Sequence, residues 1–219
     1  MSGIQIPWFS ERKRAMKSRL SLGNLGWAFI SAAFLLAGCG STPLTQFYNL
    51  SSLPSGQQGN YAAPPGGEIA IGVGPVELPE YLDRPQIVTR KSENQLEISE
   101  FHRWAGSLPQ GFSRVLAKNI STLLPTDQVA VFPWESTFSP TYQVKLNVEQ
   151  FDGQVGKQVF LRVIWSLLGQ EGNKELVVRK SFIEEPVPTK DYDGLVAAES
   201  NAIATLSREI VEEIRRLGI

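Results

Sequence analysis

The sequence predicts a single α/β domain in which two amphipathic helices pack on a mixed, largely antiparallel sheet. Three observations lead to that class. Tyr142, Val144, Leu146 and Val148 recur at every second position, and Val159, Leu161, Val163, Trp165 and Leu167 do the same in the next segment, the period of half-buried strands. Leu108, Phe112, Val115, Leu116 and Leu123 repeat at helical spacing, as do Leu195, Ile203, Leu206, Ile210, Ile214 and Leu217, the stripe of a helix that buries one face. Turn residues separate these segments, and no internal repeat is present.

The elements follow in order. Gln46-Phe47-Tyr48-Asn49-Leu50 is an apolar cluster read as a first short strand, and 51–67, rich in Ser, Gly, Pro and Gln, reads as a flexible loop. Ile69, Ile71 and Val73 form a strand closed by Gly74-Pro75. After a turn from Pro79 to Arg84, Gln86 to Arg90 and Leu96 to Ser99 are two strands of a hairpin. Ser107 to Gln110 has the form of a capping box, with Pro109 tolerable in the first turn. Pro125 ends that helix, and Val129 to Phe132 is a short strand. Asp152-Gly153 and Gly156 mark the turn between the two alternating segments, and Leu176 to Ile183 completes an antiparallel meander. The last helix starts near Tyr192; Arg215 and Arg216 favour its C-terminal dipole, and Gly218 can cap it.

The N-terminus has a separate character. Arg12, Lys13, Arg14, Lys17 and Arg19 precede the uncharged stretch Leu20 to Ala37, which ends in small residues before Cys39, the only cysteine of 219 residues. A basic region, an apolar run and a small-residue boundary describe a secretory signal. A retained transmembrane helix is the alternative, since the run approaches the ~20 residues needed to span. Against it stand Asn24, Gly23 and Gly26 within the run, the lack of a basic stop-transfer cluster, and the Ala37-Gly38 pair. Met16 offers a second start with Lys17-Ser18-Arg19 as its basic region.

Leu36-Ala37-Gly38-Cys39 resembles the lipobox of bacterial lipoproteins. The resemblance implies cleavage after Gly38, a diacylglycerol on the Cys39 sulfur and an acylated new amine. Residues 1–38 are then a cleaved signal peptide, 39–45 a lipidated tether and 46–219 the domain. Gly40, where an aspartate would retain a lipoprotein in the inner membrane, implies the periplasmic face of the outer membrane. Two or more acyl chains anchor stably. Six residues from Gly40 to Thr45 reach no more than ~20 Å, so the domain sits close to its membrane.

Composition narrows the function. Residues 1–38 hold five of the 21 basic and one of the 22 acidic residues, leaving a net charge of −5. That balance argues against a phosphate-neutralising surface and so against a nucleic-acid partner. Catalytic groups are scarce. His102 is the only histidine, and its plainer reading is a packing or capping residue beside Arg103-Trp104 at the entry to the first helix. There is no Gly-x-Ser-x-Gly elbow or His-Glu-x-x-His pair, and Cys/His metal binding fails by count. Glu184-Glu185 and Asp191-x-Asp193 read as solvated loop charges. Gly72-x-Gly74 lacks the third glycine and the following helix of a dinucleotide site. Phe132-Pro133-Trp134 is either a docking surface or a strand end packed into the core. No catalytic residue, metal or cofactor is expected.

The most patterned stretch is Leu78-Pro79-Glu80-Tyr81-Leu82-Asp83-Arg84-Pro85-Gln86-Ile87-Val88-Thr89-Arg90. Its prolines stiffen the chain, and its tyrosine and arginines are favoured interface anchors. It reads either as a rigid connection whose Arg84 pairs with a nearby acid, or as part of a protein interface. With Arg103-Trp104 before Leu108 and Phe47-Tyr48-x-Leu50 after the lipobox, this run resembles the ABC-transport auxiliary lipoprotein family, the PqiC-like proteins, over nearly the whole mature chain.

That resemblance implies a three-layer α/β/α domain similar to the amino-terminal domain of TolB. It implies work beside MCE-domain periplasmic proteins and their membrane permease components, which carry phospholipid or other hydrophobic molecules between two membranes and maintain membrane integrity. Pro79, Tyr81, Leu82, Arg84, Pro85, Arg90 and Trp104 are the expected partner-binding residues, and Cys39 the lipidation site. A domain of this size whose apolar stripes cover its own sheet cannot enclose a lipid, so it either forms a homo-oligomeric ring or docks the conduit to the outer membrane. A lipoprotein that assists assembly of another envelope complex, without contact to lipid cargo, is the competing class. A periplasmic enzyme dependent on His102 is a third.

Overall fold

The computed structural model describes residues 43–54, 69–124, 126–169 and 174–218. Cys39 with the expected signal segment, the expected loop over 55–67, Pro125 and the expected turn over 170–173 lie outside them. Eight strands, a 3₁₀ turn and two long helices follow in order: β1 (Gln46–Tyr48), β2 (Ile71–Glu77), the turn Glu80–Leu82, β3 (Gln86–Ser92), β4 (Gln95–Trp104), α1 (Leu108–Leu123), β5 (Val129–Val131), β6 (Tyr142–Gly153), β7 (Gln158–Gly169), β8 (Lys174–Pro186) and α2 (Tyr192–Arg216).

The mixed α/β class stands, with the strands divided between two sheets. A five-stranded sheet runs β5-β2-β6-β7-β8, and a three-stranded sheet runs β1-β4-β3. β6, β7 and β8 form the antiparallel meander, whereas β2 lies parallel to both β5 and β6. In the small sheet β1 is parallel to β4 and β3 is antiparallel to it.

Alternation decides what each face of the large sheet does. Val144, Leu146 and Val148 on β6, and Val159 to Leu167 at every second position on β7, are buried. α1 packs against β2 and β5, α2 against β7 and β8, and the two helices touch each other, so both lie on this face. Ile203, Leu206, Ile210 and Ile214 of α2 join the same core as Phe112, Leu116 and Ile120 of α1. Among the described residues the far face carries no helical layer: Asn147, Arg162, Lys180 and Phe182 are exposed there.

Several local expectations shift for physical reasons. Ser107 is the N-cap of α1 but its side chain makes no capping bond; the Gly111 N–H instead donates to the Ser107 carbonyl. β2 does not stop at Gly74-Pro75 but continues to Glu77 across a register shift between Val73 and Val76, the irregularity that lets a strand hold a proline. β4 runs on to Trp104, so His102 and Arg103 belong to a strand rather than a helix entry. Asp152 and Gly153 are the end of β6, and the turn falls on 154–157. Asp191 is the N-cap of α2 and accepts from the Gly194 N–H at 2.8 Å; the hydrogen bond from the Thr189 hydroxyl, and then this one, lower its pKa. Gly218 has φ +74 and its N–H donates to the Arg215 carbonyl, as a capping glycine should.

The chain after β1 crosses the helix pair. The Ser51 N–H donates to Ser200 Oγ at 3.0 Å and the Leu53 N–H to Asn119 Oδ1 at 2.7 Å, with Leu53 buried. Residues 51–54, read as the start of a loop, are thus fixed to both helices.

Candidate functional site

The patterned stretch converges on one acid. Asp152 is fully buried at the end of β6, and Arg90 on β3 donates to it through Nε at 2.8 Å and Nη2 at 2.7 Å. The Tyr81 hydroxyl donates to Asp152 Oδ2 at 2.7 Å, and Gln150 Nε2 to Oδ1 at 2.8 Å. Arg90 Nη1 donates to the Glu93 carbonyl at 2.8 Å. The small sheet and the 3₁₀ turn are therefore pinned to the tip of the large sheet by a bidentate, charge-assisted pair.

Electrostatics agree with that geometry. Burial pushes the Asp152 carboxyl up, but hydrogen bonds from Arg90, Gln150 and Tyr81 outweigh it and hold the group below its ordinary range. Burial, then the bond to Asp152, raises the Tyr81 phenol. The bond to Asp152 raises Arg90. Glu199 of α2 is buried with no partner for Oε2 among the described residues, and burial, followed by the Asp152 charge, pushes its carboxyl well up. The two carboxyls are thus shifted in opposite directions.

The other expected residues fall in two groups. Leu82 and Trp104 are buried in the core. Arg84 and Pro85 lie outside that core: Pro85 is exposed and its carbonyl accepts the Trp104 N–H at 2.7 Å, and Arg84 is half-buried, with its Nε buried and unpartnered among the described residues. Pro79 is half-buried as the N-cap of the 3₁₀ turn. Tyr81 and Arg90 are thus brought together on Asp152, while Arg84 has no ion pair among the described residues. Beside Tyr81 and Arg90 opens a cavity of about 540 Å³ that Phe160, Arg162 and Glu149 also line.

His102 is stacked on Tyr192 at 3.8 Å between ring centroids, and its Nδ1 is 2.8 Å from the Tyr48 hydroxyl. Burial lowers its pKa. Trp134 lies against Gly72 and stacks edge-on with Phe132 at 5.4 Å, so the Phe132-Pro133-Trp134 cluster covers the far face of β2. No group of three His, Cys, Asp or Glu among the described residues could hold a metal ion.

Asp152 and Gln150 escaped the sequence reading. Asp152-Gly153 carries a turn signature, and only the need of a motif arginine for an acid pointed towards it.

Residues 48–211 match the model of the ABC-type transport auxiliary lipoprotein component family. The chain belongs to this family. Its range runs from the last residue of β1 into the final turns of α2, so it takes in both sheets and both helices. The chain is 30% identical over 192 residues to the intermembrane transport lipoprotein PqiC of Escherichia coli, covering 87% of this chain and 98% of that protein, and to the PqiC of Shigella flexneri to the same extent. A solved structure of an uncharacterized protein shares the fold with TM-score 0.64 at 22% identity, over 78% of this chain and 99% of that one. A Xanthomonas campestris protein does so with TM-score 0.61 at 16% identity, over 76% and 93%. The family is one of transport auxiliary lipoproteins and is not an enzyme family. No described helix is long and apolar enough to cross a membrane.

Proposed function

We propose that this auxiliary lipoprotein is anchored through Cys39 to the periplasmic face of the outer membrane, where it docks the conduit of an MCE/ABC-type intermembrane lipid-transport system and helps maintain membrane integrity. The observation that carries the reading is the match to an intermembrane transport lipoprotein over 98% of that protein's length, together with a lipobox that ends in the only cysteine. The domain handles position rather than chemistry. Its helix stripes are used on its own sheet, and a cavity of about 540 Å³ is too small for the acyl chains of a phospholipid.

The motif serves the partner in two ways. Tyr81, Leu82, Arg90 and Trp104 hold the loop rigid from within, and Pro79, Arg84 and Pro85 present it to an MCE-domain protein. A preordered loop loses little entropy on binding.

In-cell crosslinking followed by mass spectrometry should recover an MCE-domain protein. Arg84→Glu, which breaks no side-chain hydrogen bond or ion pair among the described residues, should abolish that crosslink while circular dichroism shows the variant folded. Recovery of a different envelope complex, or a crosslink indifferent to Arg84→Glu, would overturn the docking role or the motif's part in it, respectively.

A further inference from the structure

Leu44 and Phe47 are the most exposed large apolar side chains among the described residues, at 87% and 65%, and both stand where the chain enters the domain. β1 is the edge of the small sheet. Phe47 lies opposite Arg103 on β4, and Arg103 opposite Gln86 on β3. Partners in register share a face, so the three make one row. Tyr48 and Trp104, one position on, pack against the core. Arg103 makes no side-chain bond among the described residues, and its Nε is buried without an acceptor.

The occupant of this row follows from where it sits. Resting on the reading that Cys39 is acylated, five residue steps separate the anchor from Leu44, a reach of at most ~18 Å. The row cannot leave the neighbourhood of the lipid headgroups. Leucine and phenylalanine enter the acyl boundary favourably, and an arginine beside them meets phosphate. A net charge of −5 after residue 38 does not attract the rest of the domain to an anionic surface, so the contact is local.

We propose that the β1 edge is a lipid-surface contact: Leu44 and Phe47 insert at the acyl boundary of the bilayer that holds Cys39, and Arg103 donates to a lipid phosphate. The anchor then fixes the domain's orientation as well as its distance.

The test uses the full lipoprotein in vesicles of phosphatidylethanolamine with a minor share of phosphatidylglycerol. Acylation blocks the Cys39 thiol, so Phe47→Cys can carry a single spin label. Val178→Cys, at a site 46% exposed on β8, serves as the aqueous reference. The label at position 47 should show a several-fold higher ratio of oxygen to nickel-chelate collisions than the label at 178, and Arg103→Gln should reduce that ratio. Equal ratios in a protein that floats with the vesicles and has the mass of the acylated form would overturn the contact and leave the anchor standing. Shielding from both collision partners would place a second copy on the row and also overturn it. Protein that lacks the acyl mass and does not float would refute the anchor, and the contact with it.

Discussion

Arg90 grips Asp152 through two nitrogens, at 2.8 Å and 2.7 Å, across 62 residues of sequence. The pair ties β3 to β6, and with Tyr81 on the same carboxylate the loop between β2 and β3 is held by that contact too.

Removing the cation leaves a buried carboxylate uncompensated. Arg90→Ala should lower unfolding stability by roughly 3 kcal/mol, seen as a drop in the urea midpoint with an unchanged slope. Tyr81→Phe removes one hydrogen bond and should cost about 1 kcal/mol. An unshifted midpoint for Arg90→Ala would show that the pair contributes no stability.

Two acids should shape the pH profile in opposite senses. Asp152 has a folded pKa below its unfolded value, so its contribution is fully present above ~3.9 and is lost as pH falls through the folded pKa. Glu199 has a folded pKa raised above its unfolded value, so its favourable term is complete below ~4.3 and fades as pH rises towards the folded pKa. Glu199→Met should therefore flatten the fall of stability on the neutral side, while Asp152→Asn flattens the acid side. Denaturant midpoints across pH measure both slopes; a Glu199→Met profile parallel to the parent's would count against the raised Glu199 carboxyl.

Gly72 leaves room for an indole. A Cβ there would lie 2.7 Å and 2.8 Å from two Trp134 ring carbons. Gly72→Ala should displace the ring and cost about 1–3 kcal/mol, with Trp134 more exposed to an aqueous quencher. Unchanged quenching would mean that the loop adapts without moving the ring.

Asn119 holds the segment that follows β1. Asn119→Ala removes the acceptor for the Leu53 N–H and should cost about 1–3 kcal/mol. Amide exchange at Leu53 should accelerate far more than at Ile203 in the core of α2; equal acceleration would indicate global rather than local loosening.

Most of the architecture was legible because it rests on local periodicity. The meander of β6, β7 and β8 follows from two-residue alternation, and α2 from an apolar stripe with Gly218 at its end, whereas Asp191, read as a loop charge, is the N-cap of that helix. The division into two sheets was not legible, because Gln46–Tyr48 is too short for its pairing with β4 to be read from pattern. The motif was visible as a pattern but its inner half was not: Tyr81 and Arg90 look like surface anchors until Asp152, distant in sequence, is placed beneath them. His102 was read beside a helix because Trp104 precedes Ser107 closely, whereas pairing with Tyr48 keeps that segment extended.

The segment after β1 has a mechanical consequence. A pull on the N-terminal chain first loads β1, whose parallel pairing with β4 sets its bonds across the direction of tension. Behind it, Ser51 and Leu53 transmit the remaining load to Ser200 and Asn119, one on each helix. Traction is thus shared by the small sheet and the helix pair before it reaches the meander, so tension on the N-terminal chain would strain the entry of the domain and spare the antiparallel strands behind it.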